Sequence, residues 1–154
     1  MHAPSRRLVL LLWAGLAAAC EDPLGPDDVV GTYALRDVAG GALPAIVLTN
    51  DYGVWRVLAD TLRFTADGRG TNVNVVEVEI PPGGSPTGPV RVVSPFTFRT
   101  VEGRIEIAFD CREPAAVCVA PPHMVARPTA GGLRADYYLM YRVPQTFTRI
   151  PSSP

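Results

Sequence analysis

The chain has 154 residues, 19% of them charged, and fourteen basic groups against fifteen acidic ones give a formal charge of −1. That is one domain's length, and no basic stripe interrupts it, so the electrostatic footprint of a nucleic-acid-binding surface is missing. Sixteen prolines and fourteen glycines punctuate the chain too often for long helices and indicate short elements joined by turns.

The chain opens on Arg6 and Arg7, then an apolar run from Leu8 to Leu16, then Ala17, Ala18 and Ala19. A basic start, a short apolar stretch and small residues before a cut describe a secretory signal peptide. A bilayer-spanning helix needs about 20 apolar residues, more than this run supplies. Cys20 follows directly, ahead of Glu21 and Asp22. The phrase "LAAAC" resembles the lipobox of bacterial lipoproteins, in which the cysteine thiol receives a diacylglycerol and the signal is cleaved just before it. The resemblance implies a signal peptide over 1–19 and a lipid attachment at Cys20. It also implies a place in the cell envelope, membrane-anchored on the periplasmic side or the cell surface. Each buried CH₂ contributes about 0.8 kcal/mol, so several acyl chains hold where one would not. The alternative is an ordinary secretory cut after the alanines, which leaves Cys20 as a leftover thiol. Cleavage before Cys20 leaves 135 residues with twelve arginines, no lysine and fifteen acids. A chain of that size hides about two thirds of its unfolded surface.

Residues 20–29, acidic with two prolines, read as a tether, and 30–150 as the folded domain. From there the pattern is strands. "GTYALRDV" places Tyr33 and Leu35 on one side, "AGGALP" turns, "AIVLT" is extended and "NDYG" turns again. "VWRVLADTLRFT" supplies one or two strands with Leu62 and Phe64 in phase, and "ADGRG" is hairpin-turn chemistry, because Asp and Gly tolerate positive φ. In "TNVNVVEVEI", Asn72 and Asn74 share one phase and Glu77 and Glu79 the other. Both pairs should face water, so the alternation slips at Val75–Val76, where a β-bulge absorbs it. "PPGGSPTGP" is an exposed connection. "VRVVSPFTFRTV" sets Phe96 and Phe98 in phase, "RIEIAF" alternates Ile105, Ile107 and Phe109, and "LRADYYLMYRV" alternates Leu133, Ala135, Tyr137, Leu139 and Tyr141. "TFTRI" closes the domain. Seven to nine short strands at regular spacing predict an all-β sandwich or barrel. Consecutive hairpins favour a small antiparallel up-and-down barrel, whose closure removes exposed edges.

The phrases "GTYALRDVAGGALP", "LADTLRFTADGRG", "FTFRTVEGRIEIAF" and "GGLRADYYLMYRV" together resemble a bacterial lipocalin-like group of exported proteins. The resemblance covers roughly residues 30–150. It implies a small antiparallel barrel and no reaction; a fold does not supply a function.

Cys111 and Cys118 are close in sequence, and in an oxidising exported compartment a disulfide between them is the first reading. On the chain-entropy model its short loop is worth about 2 to 2.5 kcal/mol. A zinc site of Cys111, Cys118 and His123, with Asp110 as a fourth ligand, is the weaker alternative, because structural sites favour tighter cysteine pairs. Neither metal nor cofactor is expected. His123 is the single histidine after the signal, and Ser85, Ser94, Ser152 and Ser153 lack a nucleophile-elbow context. Catalysis is therefore not expected. Glu77 and Glu79 read as a solvated strand face. Trp55, Phe64, Phe96, Phe98, Tyr137 and Tyr141 are the candidates to line a cavity, or else to fill the core, since a small barrel is just wide enough for either. The expectation is a monomeric, lipid-anchored barrel that binds a small hydrophobic ligand; the alternative is a filled barrel serving as an envelope structural or interaction module.

Overall fold

In the computed structural model, which describes residues 25–80, 87–110, 123–137 and 143–151, the hydrophobic alternation is used almost entirely as strand. One helical turn, α1 (Pro26–Val29), precedes β1 (Gly31–Val38), β2 (Gly41–Ala42), β3 (Ala45–Asn50), β4 (Gly53–Phe64) and β5 (Arg69–Glu79). β6 (Thr87–Val101), β7 (Arg104–Phe109), β8 (His123–Thr129), β9 (Gly132–Tyr137) and β10 (Gln145–Ile150) complete the chain. From β4 to β10 each strand pairs with the next, and β1 lies between β10 and β4. The result is a closed antiparallel barrel of eight strands in up-and-down order.

β4 is one long strand with two partners. Its C-terminal part pairs with β1, from Gly31↔Phe64 to Ala34↔Thr61. Its N-terminal part pairs with β3, from Ala45↔Val57 to Asn50↔Gly53. β2 adds to the far end of β1. The sheet is thus sealed at one end and splayed at the other, where β3, β4, β5 and β6 run on beyond the closure.

Turn chemistry sets the hairpins. Glu102 and Gly103 both have positive φ (49° and 70°), as do Ala39 and Gly40 (51° and 80°). That is the conformation of the two-residue turn whose twist matches its flanking strands.

The interior follows the period of two. Leu62, Phe64, Ile105, Ile107, Met124, Leu133 and Phe147 are buried almost completely. Phe64 sits at the centre of an aromatic group. It meets Tyr33, Phe96 and Phe98 edge-on at centroid distances of 5.6, 5.2 and 5.0 Å, and Phe96 meets Phe109 at 5.6 Å. Edge-to-face contacts of this kind add about 0.5–1.5 kcal/mol each beyond burial. The sealed end is covered by α1, where Val29 is buried and its carbonyl accepts a hydrogen bond from the Tyr33 hydroxyl at 3.1 Å. Val29, the last residue of the segment read as a tether, therefore packs on the barrel.

β5 departs from the sequence reading. Asn72 and Asn74 do not face water; they are 1% and 5% exposed, in phase with buried Val76 on the inner face. Against β4, the strand runs through Val75–Val76 without a slip. The extra residue is Leu58 of β4, between Val57↔Val76 and Ala59↔Val75. A second shift lies between Val76 and Val78 against β6. The outward-facing Glu77 and Glu79 marked the correct outer phase, but the asparagines belong to the opposite one.

Gly70 is required by packing. A Cβ there would run into the Phe96 ring and the Arg63 carbonyl oxygen. Gly70→Ala is expected to destabilise the fold by about 1–3 kcal/mol, the usual cost of overpacking. Urea denaturation would measure it, and an unchanged midpoint would show that the ring can move aside.

Candidate functional site

Of the six aromatic residues singled out from sequence, Phe64, Phe96 and Phe98 are buried in the ring cluster toward the sealed end. They fill that part of the interior. Trp55 stands apart on β4, half-buried, level with Leu48 of β3 and Val78 of β5. Its Nε1 is buried without a hydrogen-bond partner. The Tyr137 backbone ends β9; its side chain, all of Tyr141, and Cys20, Cys111 and Cys118 lie outside the described residues.

Toward the splayed end the inner face changes character. Val90 and Val92 of β6 pair with Val76 and Asn74, yet they are 48% and 44% exposed. Level with Val92, the inner face carries a polar layer. Asp60 is 3% exposed and is the one buried carboxylate among the described residues. Asn72 Nδ2 donates to Asp60 Oδ1, and Asn74 Nδ2 donates to Asp60 Oδ2 at 3.1 Å. A second contact runs from Asn72 Nδ2 to the Thr61 carbonyl at 3.4 Å. Gln145, on β10 beside Val38 and Ala135, is 1% exposed. Both of its amide atoms, like Asn74 Oδ1, are buried without a hydrogen-bond partner. Such groups are rare in folded proteins and each calls for an explanation.

Burial pushes the Asp60 carboxyl from its ordinary 3.8 up to about 7, although the Asn72, Thr61 and Asn74 donors work in the other direction. Desolvation disfavours the charged form, and here it outweighs three hydrogen bonds. The carboxyl therefore changes charge near neutrality, inside a barrel.

Two depressions lie away from this layer. A cavity of about 110 Å³ at the sealed end is lined by Val29, Tyr33, Leu133 and Arg149, among others. A groove of about 280 Å³ runs along β6 and β7 beside the exposed His123. Sites for drug-sized ligands usually take about 300–1,000 Å³. Among the described residues no three His, Cys, Asp or Glu side chains come together as metal ligands. Glu79 pairs with Arg56 at 2.8 Å on the outer face.

No family model, curated protein or solved structure matches the chain.

Sequence reasoning missed the polar layer, and the signal was present. Asp60 is in phase with Leu62 and Phe64, Gln145 with Phe147, and Asn72 and Asn74 with Val76. A polar residue on the core phase of a strand is either a bulge or a buried group, and here it is a buried group.

The raised Asp60 pKa fixes a pH dependence. Between about pH 4 and 7 Asp60 is protonated to a greater extent in the folded chain than in the unfolded one, so its contribution to stability falls as pH rises across that window. A shift of about three units corresponds to up to about 4 kcal/mol. Asp60→Asn is expected to flatten this slope and to raise the denaturation midpoint above pH 7. The same slope in the variant would place its origin in another group.

Proposed function

We propose that the chain is an exported, lipid-anchored barrel that binds a small, largely apolar molecule in the splayed half of its interior. The carrying observation is the polar layer. Asn74 and Gln145 are buried on the inner face with unpartnered amide atoms, on the same face as the buried Asp60; Val92 stands level with Asn74, and Val90 and Trp55 stand further toward the splayed end, half-buried or exposed. Apolar walls with a few convergent polar groups describe a small-molecule site. The aromatic cluster is the packed floor beneath it.

Export and anchoring are supported by the sequence from Arg6 to Cys20, and the lipocalin-like assignment by the hairpin phrases across residues 30–150 and the up-and-down order of the barrel. No nucleic-acid partner, catalytic role or cofactor is proposed, and the chain is read as a monomer. A second reading, a filled barrel serving as an envelope structural or interaction module, is favoured by one observation. Phe64, Phe96, Phe98 and Phe109 already occupy the sealed end with ring-on-ring contacts.

Two measurements test this. Nile red added to the protein is expected to brighten on binding, and Val92→Arg, at an exposed wall position, to weaken that binding about tenfold, the scale of 1.4 kcal/mol. No brightening and no thermal shift would favour the filled-barrel reading. Intact mass spectrometry of protein taken from its own membranes is expected to show a chain starting at Cys20 with acyl chains attached. It should also gain the two hydrogens of a reduced disulfide on treatment with a thiol. A mass without acyl chains would make it a secreted barrel.

A further inference from the structure

We infer that the Asp60 layer is the recognition site for an amine: the ligand is an apolar molecule carrying one ammonium head, held by Asp60, Asn74 and Gln145. This rests on the binding reading above and names the chemistry of its ligand.

The argument is one of missing partners. Asp60 is the one buried carboxylate among the described residues, and no arginine is paired with it. Its hydrogen-bond donors are neutral amides and a backbone N–H. A buried charge without a counter-charge is costly, and the usual remedy is an ion pair with further hydrogen bonds. The neighbouring groups with spare capacity include acceptors. Asn74 Oδ1 and Gln145 Oε1 are both buried without partners. An ammonium group has three donors and no acceptor. One donor suits a carboxylate oxygen and the other two suit the two amide oxygens. A carboxylate ligand would meet Asp60 as a like charge. A hydroxyl has one donor, which leaves two of those three acceptors unused, although it can accept from Gln145 Nε2.

The placement agrees. Asp60 lies on β4 next to Thr61, which pairs with Ala34 of β1. Gln145 of β10 pairs with Val38 of the same β1, so it enters one layer nearer the splayed end and two strands across from Asp60, on the far side of β1. Its neighbours on the inner face of β9 and β8 are Ala135 and Ala126, side chains that cannot hydrogen-bond. Val92, level with Asn74, and Val90 and Trp55 beyond it carry no charge that would compete with Asp60.

The test is a matched series on the full chain: hexylamine, 1-hexanol and hexanoate, by calorimetry and thermal shift at pH 8, with Nile red as the control for an open pocket. Hexylamine is expected to bind at least about tenfold tighter than hexanol, and hexanoate weakest. Asp60→Asn should abolish the preference for the amine while hexanol binding persists. Gln145→Leu, an apolar change among alanines and Phe147, should weaken the amine several-fold and serves if Asp60→Asn does not fold. Equal binding of all three molecules, or an amine preference that survives both variants, would overturn the amine inference and leave the pocket standing. Failure of every probe, Nile red included, would overturn the pocket and the amine site together.

Discussion

The whole structure depends on the pairing of β1 with both β10 and β4. Thr32 is level with Ile150 on one side and with Arg63 on the other, so the first strand of the barrel joins the last to the fourth. Without that seam the strands from β4 to β10 would form an open meander with two unpaired edges, each a template for association. With it, the inner faces of all eight strands enclose one interior. Tyr33 and Leu35 are carried into that interior by the seam itself. The turn of helix ahead of β1 is held to it by the Tyr33–Val29 hydrogen bond and by Arg149, whose guanidinium donates to the Val30 carbonyl and lies over the Tyr33 ring at 5.8 Å.

Closure at one end only produces the two halves of the molecule. Where β1 and β4 pair, the circumference is fixed and five aromatic rings fill the space. Where β4 leaves β1 and takes β3 as its partner, the wall opens, and the inner-phase side chains of β6 reach water. The bulge at Leu58 sits between these regimes. It keeps Val57 and Asp60 both on the inner face, although they are three residues apart. The polar layer lies at this transition, deep enough that Asp60 is desolvated.

Such a layer opposes stability. Hydrophobic side chains at Asp60, Asn72, Asn74 and Gln145 would have extended the core, and the buried carboxylate makes the fold less stable as pH rises toward neutrality. Features of this kind concentrate where binding or chemistry takes place.

Much of the architecture was legible in the chain itself. Hairpin turns at "ADGRG", "VEGR" and "TAGG", and alternation through "RIEIAF" and "LRADY", mark strands and their inner phases, because both depend on contacts within a few residues. Phe64, Phe96 and Phe98 were recognisable as interior residues on the same ground. What local pattern could not decide was which strand carried the extra residue and which way Asn72 and Asn74 faced. Asparagine is usually exposed, and only Asp60, twelve and fourteen residues away in the chain and directly across the strand pair in space, makes their burial favourable. The sequence by itself determined an all-β chain of short hairpins with an alternating core. Only the tertiary structure decided that the barrel closes through β1 and that its open half holds a buried polar layer, since both depend on pairings between residues far apart in the chain.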